Sequence, residues 1–236
     1  MRLILIETLL VLGLTLGALA LSSAVYAQEN PDAQGLENGS AVYAQDELSE
    51  SSCPEGMVFI ASTIAVTDPS GEPIRSFCMD IFEYPNIPGS MPNYNISWIE
   101  AQANCVQEGK RLCTSSEWVL ACSGPSNSLY PYGSEYNNEA CNTEGEWMMN
   151  GSRAVISGAF QGCRSGYGIM DMSGNLSEWT DDDGDSAEIY GGSFVSGKFS
   201  SCKSHYSLIK TQKYIFNGSR CCLTPTANSA STDSPR

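Results

Sequence analysis

One loop-rich segment carries most of the information about the fold. Residues 166–180 read GYGIMDMSGNLSEWT, and YGGSF follows at residues 190–194. The segment combines glycines, which permit left-handed turns, with the carboxylates of Asp171 and Glu178 and with aromatic side chains. This composition predicts a turn-rich loop that carries two spaced carboxylates.

Two helices are predicted upstream of this segment. A Ser or Thr followed three residues later by Glu marks a helix start, and the pattern occurs twice, at Ser97/Glu100 and at Thr114/Glu117. Cys105 and Cys122 then fall on the apolar faces of the two helices. Short strands are expected over residues 57–65 and 77–82. Little periodicity follows Gly124, so we expect an α+β fold with much irregular structure.

The N-terminus is typical of a secretory signal peptide. Arg2 precedes an apolar run from Leu3 to Leu21, and AVYA ending at Ala27 resembles a signal peptidase site. An uncleaved membrane anchor is the alternative, because the run is nearly long enough to span a bilayer. We expect residues 1–27 to be removed, which predicts a secreted or periplasmic protein with no membrane association after cleavage.

The rest of the sequence divides into three parts. Residues 28–52 are polar and predict a disordered linker, residues 53–223 form one domain, and residues 224–236 form a polar, flexible tail. The length of the middle part suits a single hydrophobic core.

Charge and cysteine content narrow the class of protein. The formal net charge of −15 opposes binding to nucleic acid, which requires a basic face. The ten cysteines all follow the signal segment, and an even number in an exported chain indicates disulfides. A zinc site is disfavoured, because there is no C-x-x-C pair and His205 is the only histidine.

The sequence resembles the formylglycine-generating enzyme, or sulfatase-modifying factor, family. Seven motifs occur in the family's order and together cover essentially the whole domain. They are VFI at 58–60, SWIEA at 97–101, GKRLCTSSEW at 109–118, YPYG at 130–133 with CNT at 141–143, the loop at 168–179, GGSF at 191–194 and GSRC at 218–221. The resemblance implies a variant of the C-type lectin fold, with two helices packed on short antiparallel strands.

The chain departs from this family where the oxidase members carry their catalytic cysteines. Those enzymes use two cysteines, five residues apart, directly after the Gly-Gly-Ser motif, to hold copper and engage the substrate cysteine. Here Ser196 stands near the first of these positions, and Cys202 is the one cysteine before Cys221. The resemblance implies that Cys202 is structural and pairs with Cys122, and that Cys105 pairs with Cys221. No catalytic residue is therefore assigned.

The other six cysteines are also expected to form disulfides. We expect the pairs Cys53–Cys78, Cys141–Cys163 and Cys113–Cys222. Sequence by itself leaves the connectivity of these six cysteines open.

The resemblance also implies calcium as a cofactor. Asp171 and Glu178 would contribute carboxylates, and Gly174 and Leu176 would contribute backbone carbonyls, which are the oxygen ligands that calcium prefers. A second family site would begin at Asn142. The alternative interpretation is a turn whose acidic side chains are solvated.

Three functions are compatible with these features. The first is an exported, disulfide-stapled, calcium-binding domain that lacks thiol–copper oxidase activity and acts as a binding or accessory protein for a protein, peptide or glycan. The second is a different periplasmic or extracellular modifying enzyme on the same scaffold. The third is a divergent oxidase that converts a sulfatase cysteine to formylglycine. It would require Cys202 and a second cysteine, such as Cys221 or Cys222, to be free and close together.

Overall fold

The computed structural model describes residues 53–61, 67–145, 153–181 and 184–225. All of them belong to one of two compact units of the chain, Gln45–Arg236, whereas the other unit, Met1–Ala44, lies outside the described residues. The predicted signal peptide and linker, and the part of the predicted tail beyond residue 225, therefore lie outside them as well.

Both predicted helices are confirmed, together with their capping boxes. Helix α1 spans Trp98–Gln107 and helix α2 spans Ser115–Ser123. In each helix the N-cap hydroxyl accepts a hydrogen bond from the backbone of the Glu three residues later, and that Glu side chain accepts one from the N-cap backbone. Within the described segments, no helix is both long enough and apolar enough to span a bilayer.

Eight short strands form two four-stranded sheets. Their bounds are β1 Met57–Ile60, β2 Phe77–Asp80, β3 Arg111–Leu112, β4 Ser177–Trp179, β5 Ser186–Tyr190, β6 His205–Ile209, β7 Asn217–Ser219 and β8 Cys221–Leu223. The first sheet has the order β1-β2-β8-β3 and the second has the order β6-β5-β4-β7. The two predicted early strands are present, but each ends sooner than the sequence pattern suggested.

One strand pair departs from the expected antiparallel arrangement. Strands β4 and β7 are parallel, whereas the other pairs of both sheets are antiparallel. A parallel pair needs a long connection, and the chain supplies it through β5 and β6. This pairing sets the residues at the end of β7 beside the loop at 171–178.

The second sheet lies between two hydrophobic clusters. On one side, Trp98 of α1 and Trp179 of β4 pack with Ala187 and Ile189 of β5. On the other side, Trp118 of α2 packs in a cluster that includes Tyr190, at the end of β5. The sheet is therefore buried on both faces near its centre, which explains why all three residues of β4 are buried.

Disulfides tie both helices to the C-terminal part of the domain. The ten cysteines of the chain all lie in the described segments and form five pairs, the same pairs that we expected from the sequence: Cys53–Cys78, Cys105–Cys221, Cys113–Cys222, Cys122–Cys202 and Cys141–Cys163. Cys105 and Cys221 are separated by 116 residues. Closing a loop of that size stabilises the fold by about 4–5 kcal/mol in the chain-entropy model.

Candidate functional site

A buried ion pair lies at the centre of the domain. Arg220 follows β7 directly and donates through Nε and Nη2 to both carboxylate oxygens of Glu178, at 3.0 and 2.8 Å. The indole Nε1 of Trp118 donates to the same carboxylate at 2.8 Å. Both charged side chains are completely buried. The other guanidinium contacts are backbone carbonyls, those of Asp80, Ile81 and Met170.

The hydrogen bonds around Arg220 and Glu178 compensate two charges that would otherwise be costly to bury. A buried ion pair is tolerated when each partner has its hydrogen bonds completed. Arg220 has oxygen acceptors on Nε, Nη1 and Nη2, and Glu178 has donors on both oxygens. The pair therefore fixes β4, β7 and the end of β2 relative to one another.

Two further carboxylates are buried beside the ion pair. Glu83 is fully buried and accepts hydrogen bonds from the Leu176 backbone at 3.0 Å and from the Asn175 amide at 2.6 Å. Burial raises the pKa of Glu83 well above its ordinary value, and the charges of Asp171 and Glu178 raise it further. Burial likewise raises the pKa of Asp171 to about 6, although a hydrogen bond from the Gly158 backbone opposes this.

The loop that carries these groups is held by left-handed backbone positions and one amide side chain. Asp171, Gly174 and Asn175 have φ values of 62°, 77° and 53°. The Asn175 side chain accepts from the Asn142 side chain at 2.9 Å and from the Val155 backbone at 2.8 Å. Only glycine fits at position 174, because a Cβ there would lie 2.2 Å from the carbonyl oxygen of Asn142.

The residues predicted to bind calcium do not fit that ion as they are arranged here. Calcium takes 6–8 oxygen ligands, but the Glu178 carboxylate already accepts three hydrogen bonds from Arg220 and Trp118. Asp171 is engaged by Gly158. Within the described segments, no group of three acidic, histidine or cysteine side chains is placed to hold a metal ion. Calcium binding by this loop stays a prediction, and it would require Glu178 to leave Arg220.

A second feature is an open cleft directly after the Gly-Gly-Ser motif. We call it the Ser196 cleft. It has a volume of about 450 Å³ and is lined by Tyr136, Thr143, Glu144 and the segment from Val195 to Phe199. Gly197 donates its backbone N–H to the Thr143 carbonyl at 2.9 Å, which joins the two walls.

Aromatic and charged side chains surround the Ser196 cleft. The Tyr136 hydroxyl contacts Glu144 and lies 2.7 Å from the Thr143 hydroxyl. Burial, followed by the hydrogen bond to Glu144, raises the pKa of Tyr136 to about 12. Phe199 is 63% exposed, and the ammonium group of Lys198 lies 5.5 Å from the centre of its ring.

The neighbouring tyrosines give the Ser196 cleft a rigid wall. The rings of Tyr130 and Tyr132 stack with centres 5.5 Å apart, and Tyr130 lies 5.5 Å from Tyr136. The Tyr130 hydroxyl donates to the Lys198 carbonyl at 2.7 Å, which fixes the cleft segment against this wall. Hydroxyls, a carboxylate, an ammonium group and exposed aromatic surface can bind a polar ligand by hydrogen bonds and ring contacts.

Ser196 itself is positioned by its own turn. Its hydroxyl accepts from the Ser193 backbone at 2.8 Å and lies 3.5 Å from the Ser193 hydroxyl. The only histidine of the chain, His205, stacks on Tyr190 with ring centres 5.2 Å apart and does not line the cleft. Ser196 therefore has no histidine partner of the kind that activates a serine nucleophile.

The Ser196 cleft has no pair of free cysteine thiols of the kind that a two-thiolate copper site requires. Cys202, the cysteine that follows Ser196, is bonded to Cys122, and Cys221 is bonded to Cys105. None of the ten cysteines, all of which lie in described segments, has a free thiol.

Several residues of these sites escaped the sequence analysis. It pointed to Asp171, Asn142 and Glu178, but it missed Glu83 and the cleft residues Tyr136 and Glu144. One signal for Glu83 was present, since residues 77–83 read FCMDIFE, an apolar run interrupted by two carboxylates. Carboxylates in such a run are expected to be buried with partners. Tyr136 and Glu144 carried no comparable signal.

Comparison with known proteins agrees with the geometry. Residues 73–232 match the family model described as a sulfatase-modifying factor enzyme 1-like domain. The chain is 33% identical over 103 residues to the formylglycine-generating enzyme of Mus musculus, which covers 39% of this chain and 27% of that protein. It is 31% identical over 96 residues to the inactive C-alpha-formylglycine-generating enzyme 2 of Bos taurus, which covers 38% of this chain and 32% of that protein. The chain thus matches about a quarter to a third of the length of these relatives.

A solved structure supports the same fold. Treponema denticola variable protein 1 superimposes with a TM-score of 0.57 at 15% identity, over 72% of this chain and 95% of that one. At this level of identity the likeness concerns the fold.

Proposed function

The chain belongs to the sulfatase-modifying factor enzyme 1-like family, and on that basis we propose that it is an exported binding or accessory protein without thiol–copper oxidase activity. One observation carries the proposal. All ten cysteines are in disulfides, and a serine lines the cleft after the Gly-Gly-Ser motif, so no thiolate is available there for copper or for a substrate cysteine.

The Ser196 cleft is the proposed ligand site. Its hydroxyls, the Glu144 carboxylate and the exposed ring of Phe199 suit a polar ligand with some apolar surface, such as a segment of a protein, a peptide or a glycan. Calcium is not part of the proposal, because Glu178 is engaged by Arg220.

The absence of oxidase activity can be tested directly. The purified protein, supplied with copper and oxygen, is incubated with a sulfatase-type cysteine peptide, and the products are analysed by mass spectrometry. We expect no formylglycine, and the mouse formylglycine-generating enzyme serves as the positive control. Non-reducing peptide mapping on the same preparation is expected to give the five disulfides. Formylglycine, or a free Cys202, would overturn this part of the proposal.

Ligand binding at the Ser196 cleft needs a different assay. Glycan and peptide arrays are probed with the labelled protein, and hits are retested with variants. We expect Phe199→Ala to weaken binding by about fivefold or more, since truncating a residue that carries binding energy costs about 1 kcal/mol or more. The matched control is Val106→Ala, because Val106 is 61% exposed on helix α1 and does not line the cleft. Binding that both variants retain would place the ligand elsewhere.

Export is proposed from the predicted signal and from the density of disulfides, which is typical of oxidising compartments. N-terminal sequencing of the protein after expression tests it. We expect the mature chain to begin at Gln28. An intact Met1 on a membrane-associated product would instead indicate an uncleaved anchor.

A further inference from the structure

Strand β6 forms an edge of the second sheet. In the described part of the chain it pairs with β5 on one side, and the sheet order places it at the end, before β5, β4 and β7. The strand spans His205–Ile209, and four of its five residues are exposed. An edge strand of this kind presents backbone groups that a further strand can pair with.

The register identifies which backbone groups face outward. Gly191 donates to the Ser204 carbonyl at 3.3 Å, and Lys210 donates to the Asp185 carbonyl at 3.1 Å. Both bonds follow the β5–β6 register, in which Ile189 is opposite Tyr206. Backbone groups of an antiparallel strand alternate in direction. The backbone of Tyr206 and Leu208 therefore faces β5, and that of His205, Ser207 and Ile209 faces away from it.

The chain itself covers one end of this edge but leaves the rest open. Ile209 donates its backbone N–H to the Gln212 side chain at 3.3 Å and accepts from the Gln212 backbone at 2.9 Å. Among the described residues, the outward N–H and C=O of Ser207 have no such hydrogen-bond partner. The N–H and C=O of Ser207, flanked by those of His205, are thus the free pairing groups of β6.

The side chains of the edge provide apolar contact on both faces. Tyr206 is 60% exposed and Ile209 is 53% exposed, and their positions in the strand place them on opposite faces of the sheet. An added strand would cover part of both. Apolar exposure of this size beside free backbone groups is the arrangement used in recognition by β-strand addition.

The sequence segment that carries β6 is basic, whereas the chain as a whole is acidic. Residues 189–232 contain no Asp or Glu, although the chain has 27 acidic and 12 basic residues. Lys203 is exposed just before β6, and Lys210 and Lys213 follow it. Lys210 lies 3.9 Å from the ring centre of Trp98, and Lys213 pairs with Glu100. Among the described residues, the Lys203 side chain forms no ion pair, hydrogen bond or ring contact.

We infer that β6 is a docking edge, at which an acidic, extended segment of a partner protein adds as a further strand of the sheet. The backbone of Ser207 supplies the pairing groups, Tyr206 and Ile209 supply apolar contact, and Lys203 attracts the acidic side chains. The edge works independently of a ligand in the Ser196 cleft, because β6 contributes no residue to the cleft lining.

Charge also selects between two kinds of occupant. If a second copy of this chain paired through its own β6 in antiparallel fashion, Lys203 of each copy would lie near the end of the other copy's β6, which Lys210 and Lys213 follow. Like charges brought close together across a strand pair repel each other. An acidic partner segment has no such penalty and is attracted by Lys203.

A defined peptide tests the inference. The probe is a fluorescein-labelled peptide of sequence Glu-Val-Thr-Val-Asp-Val-Glu, and the control peptide carries Lys at the three acidic positions. Fluorescence anisotropy is expected to show saturable binding of the acidic probe that weakens as salt is raised, and no binding of the lysine peptide. The largest amide shifts in the NMR spectrum of the protein are expected at His205 and Ser207.

Two matched pairs of variants locate the binding. Ser207→Pro removes the outward N–H and leaves the hydrogen bonds to β5 intact, so an edge strand tolerates it. We expect this variant to bind the acidic probe at least about tenfold more weakly. Ser207→Thr keeps the N–H and is expected to retain binding. Lys203→Glu should weaken binding by about threefold or more, whereas Arg75→Glu, the same charge reversal at an exposed site outside residues 189–232, should not.

Three results would overturn the inference. The first is no saturable binding of the acidic probe. The second is binding that Ser207→Pro leaves unchanged, or amide shifts that fall outside β6. The third is a concentration-dependent dimer that Ser207→Pro abolishes, which would assign the edge to a second copy of the chain. Should Ser207→Pro fail to fold, the amide shifts of the unmodified protein decide the outcome.

Discussion

Glu178 and Arg220 are joined by two hydrogen bonds of 2.8 and 3.0 Å and are both fully buried, although 42 positions separate them in the chain. The parallel pairing of β4 and β7 sets Trp179 opposite Ser219. Glu178, which precedes Trp179, and Arg220, which follows Ser219, therefore meet inside the domain. This contact connects the motif around residue 178 with the motif at 218–221.

Loss of one partner of this pair is expected to be strongly destabilising. Arg220→Met leaves the Glu178 carboxylate buried without its cation, and such losses cost about 3–5 kcal/mol. Urea denaturation measures the change. The double variant Glu178→Gln/Arg220→Met is expected to lose less than the sum of the two single variants, because neither charge is then stranded.

An exposed ion pair provides the control for that measurement. Lys213 and Glu100 are each more than 40% exposed, and breaking such a pair typically costs about 1 kcal/mol or less. If Arg220→Met were no more destabilising than Lys213→Met, the buried pair would not hold the strands together.

The stability of the domain is expected not to depend on calcium. Arg220 already neutralises Glu178, the carboxylate that the predicted calcium site requires. The melting temperature in the presence of a calcium chelator should therefore equal that in millimolar calcium. A rise in melting temperature with calcium, abolished in Asp171→Asn, would show that Glu178 leaves Arg220 and would restore the calcium loop predicted from the sequence.

Two glycines with similar backbone angles are expected to respond differently to substitution. Gly174 and Gly109 have φ values of 77° and 71°, so alanine is strained at both. At position 174 the new Cβ would also lie 2.2 Å from the Asn142 carbonyl oxygen, whereas nothing lies within 4 Å at position 109. We expect Gly109→Ala to cost about 1–2 kcal/mol and Gly174→Ala to cost at least about 3 kcal/mol.

Chemical denaturation of the two variants decides the matter. Equal losses would mean that the loop at 171–178 can move away from Asn142, and the tight packing seen between them would then contribute little.

The pKa of Glu100 is expected to be unusually low. The hydrogen bond from Lys213, followed by those from the Ser97 backbone and hydroxyl, lowers it from 4.5 to about 2. Because the pKa is lower in the folded state, the stabilisation from this group is present above pH 4.5 and is lost as the pH falls towards 2. NMR titration of the Glu100 carboxyl should have its midpoint near 2.

Lys213→Met separates the two causes of that low pKa. It should raise the pKa of Glu100 part of the way back, since the capping hydrogen bonds from Ser97 remain. Lys203→Met, a lysine with no recorded contact to Glu100, should leave the midpoint unchanged. A midpoint near 4.5 in the unmodified protein would contradict the ion pair between Glu100 and Lys213.

Features written in local sequence were predicted well. The two helices follow from Ser97 with Glu100 and from Thr114 with Glu117, because a capping box needs only residues three apart. The family and the fold followed from ordered motifs. Two cysteine pairs, Cys105–Cys221 and Cys122–Cys202, followed from that resemblance. The connectivity of the other six cysteines was open in the sequence, because disulfide connectivity has no local signature.

The candidate site was predicted less completely. Ser196 stands near a position where the family resemblance implies a catalytic cysteine in the oxidases, and it lines a cleft. The opposite wall, with Tyr136 and Glu144, comes from a segment some fifty residues earlier that has no periodic pattern. No principle of local structure relates such distant positions, so the composition of the cleft had to come from the structure.

The sequence by itself determined where the helices begin, which family the motifs resemble and that an even set of cysteines would be paired, because each of these depends on neighbouring residues or on motif order. The tertiary structure alone decided that Arg220 neutralises Glu178 and that β6 lies at the edge of its sheet. Both depend on which strands lie side by side, and that is set by packing between residues far apart in the chain. A carboxylate in a sequence can bind a metal, a guanidinium or water, and only the partner that the fold brings to it determines which.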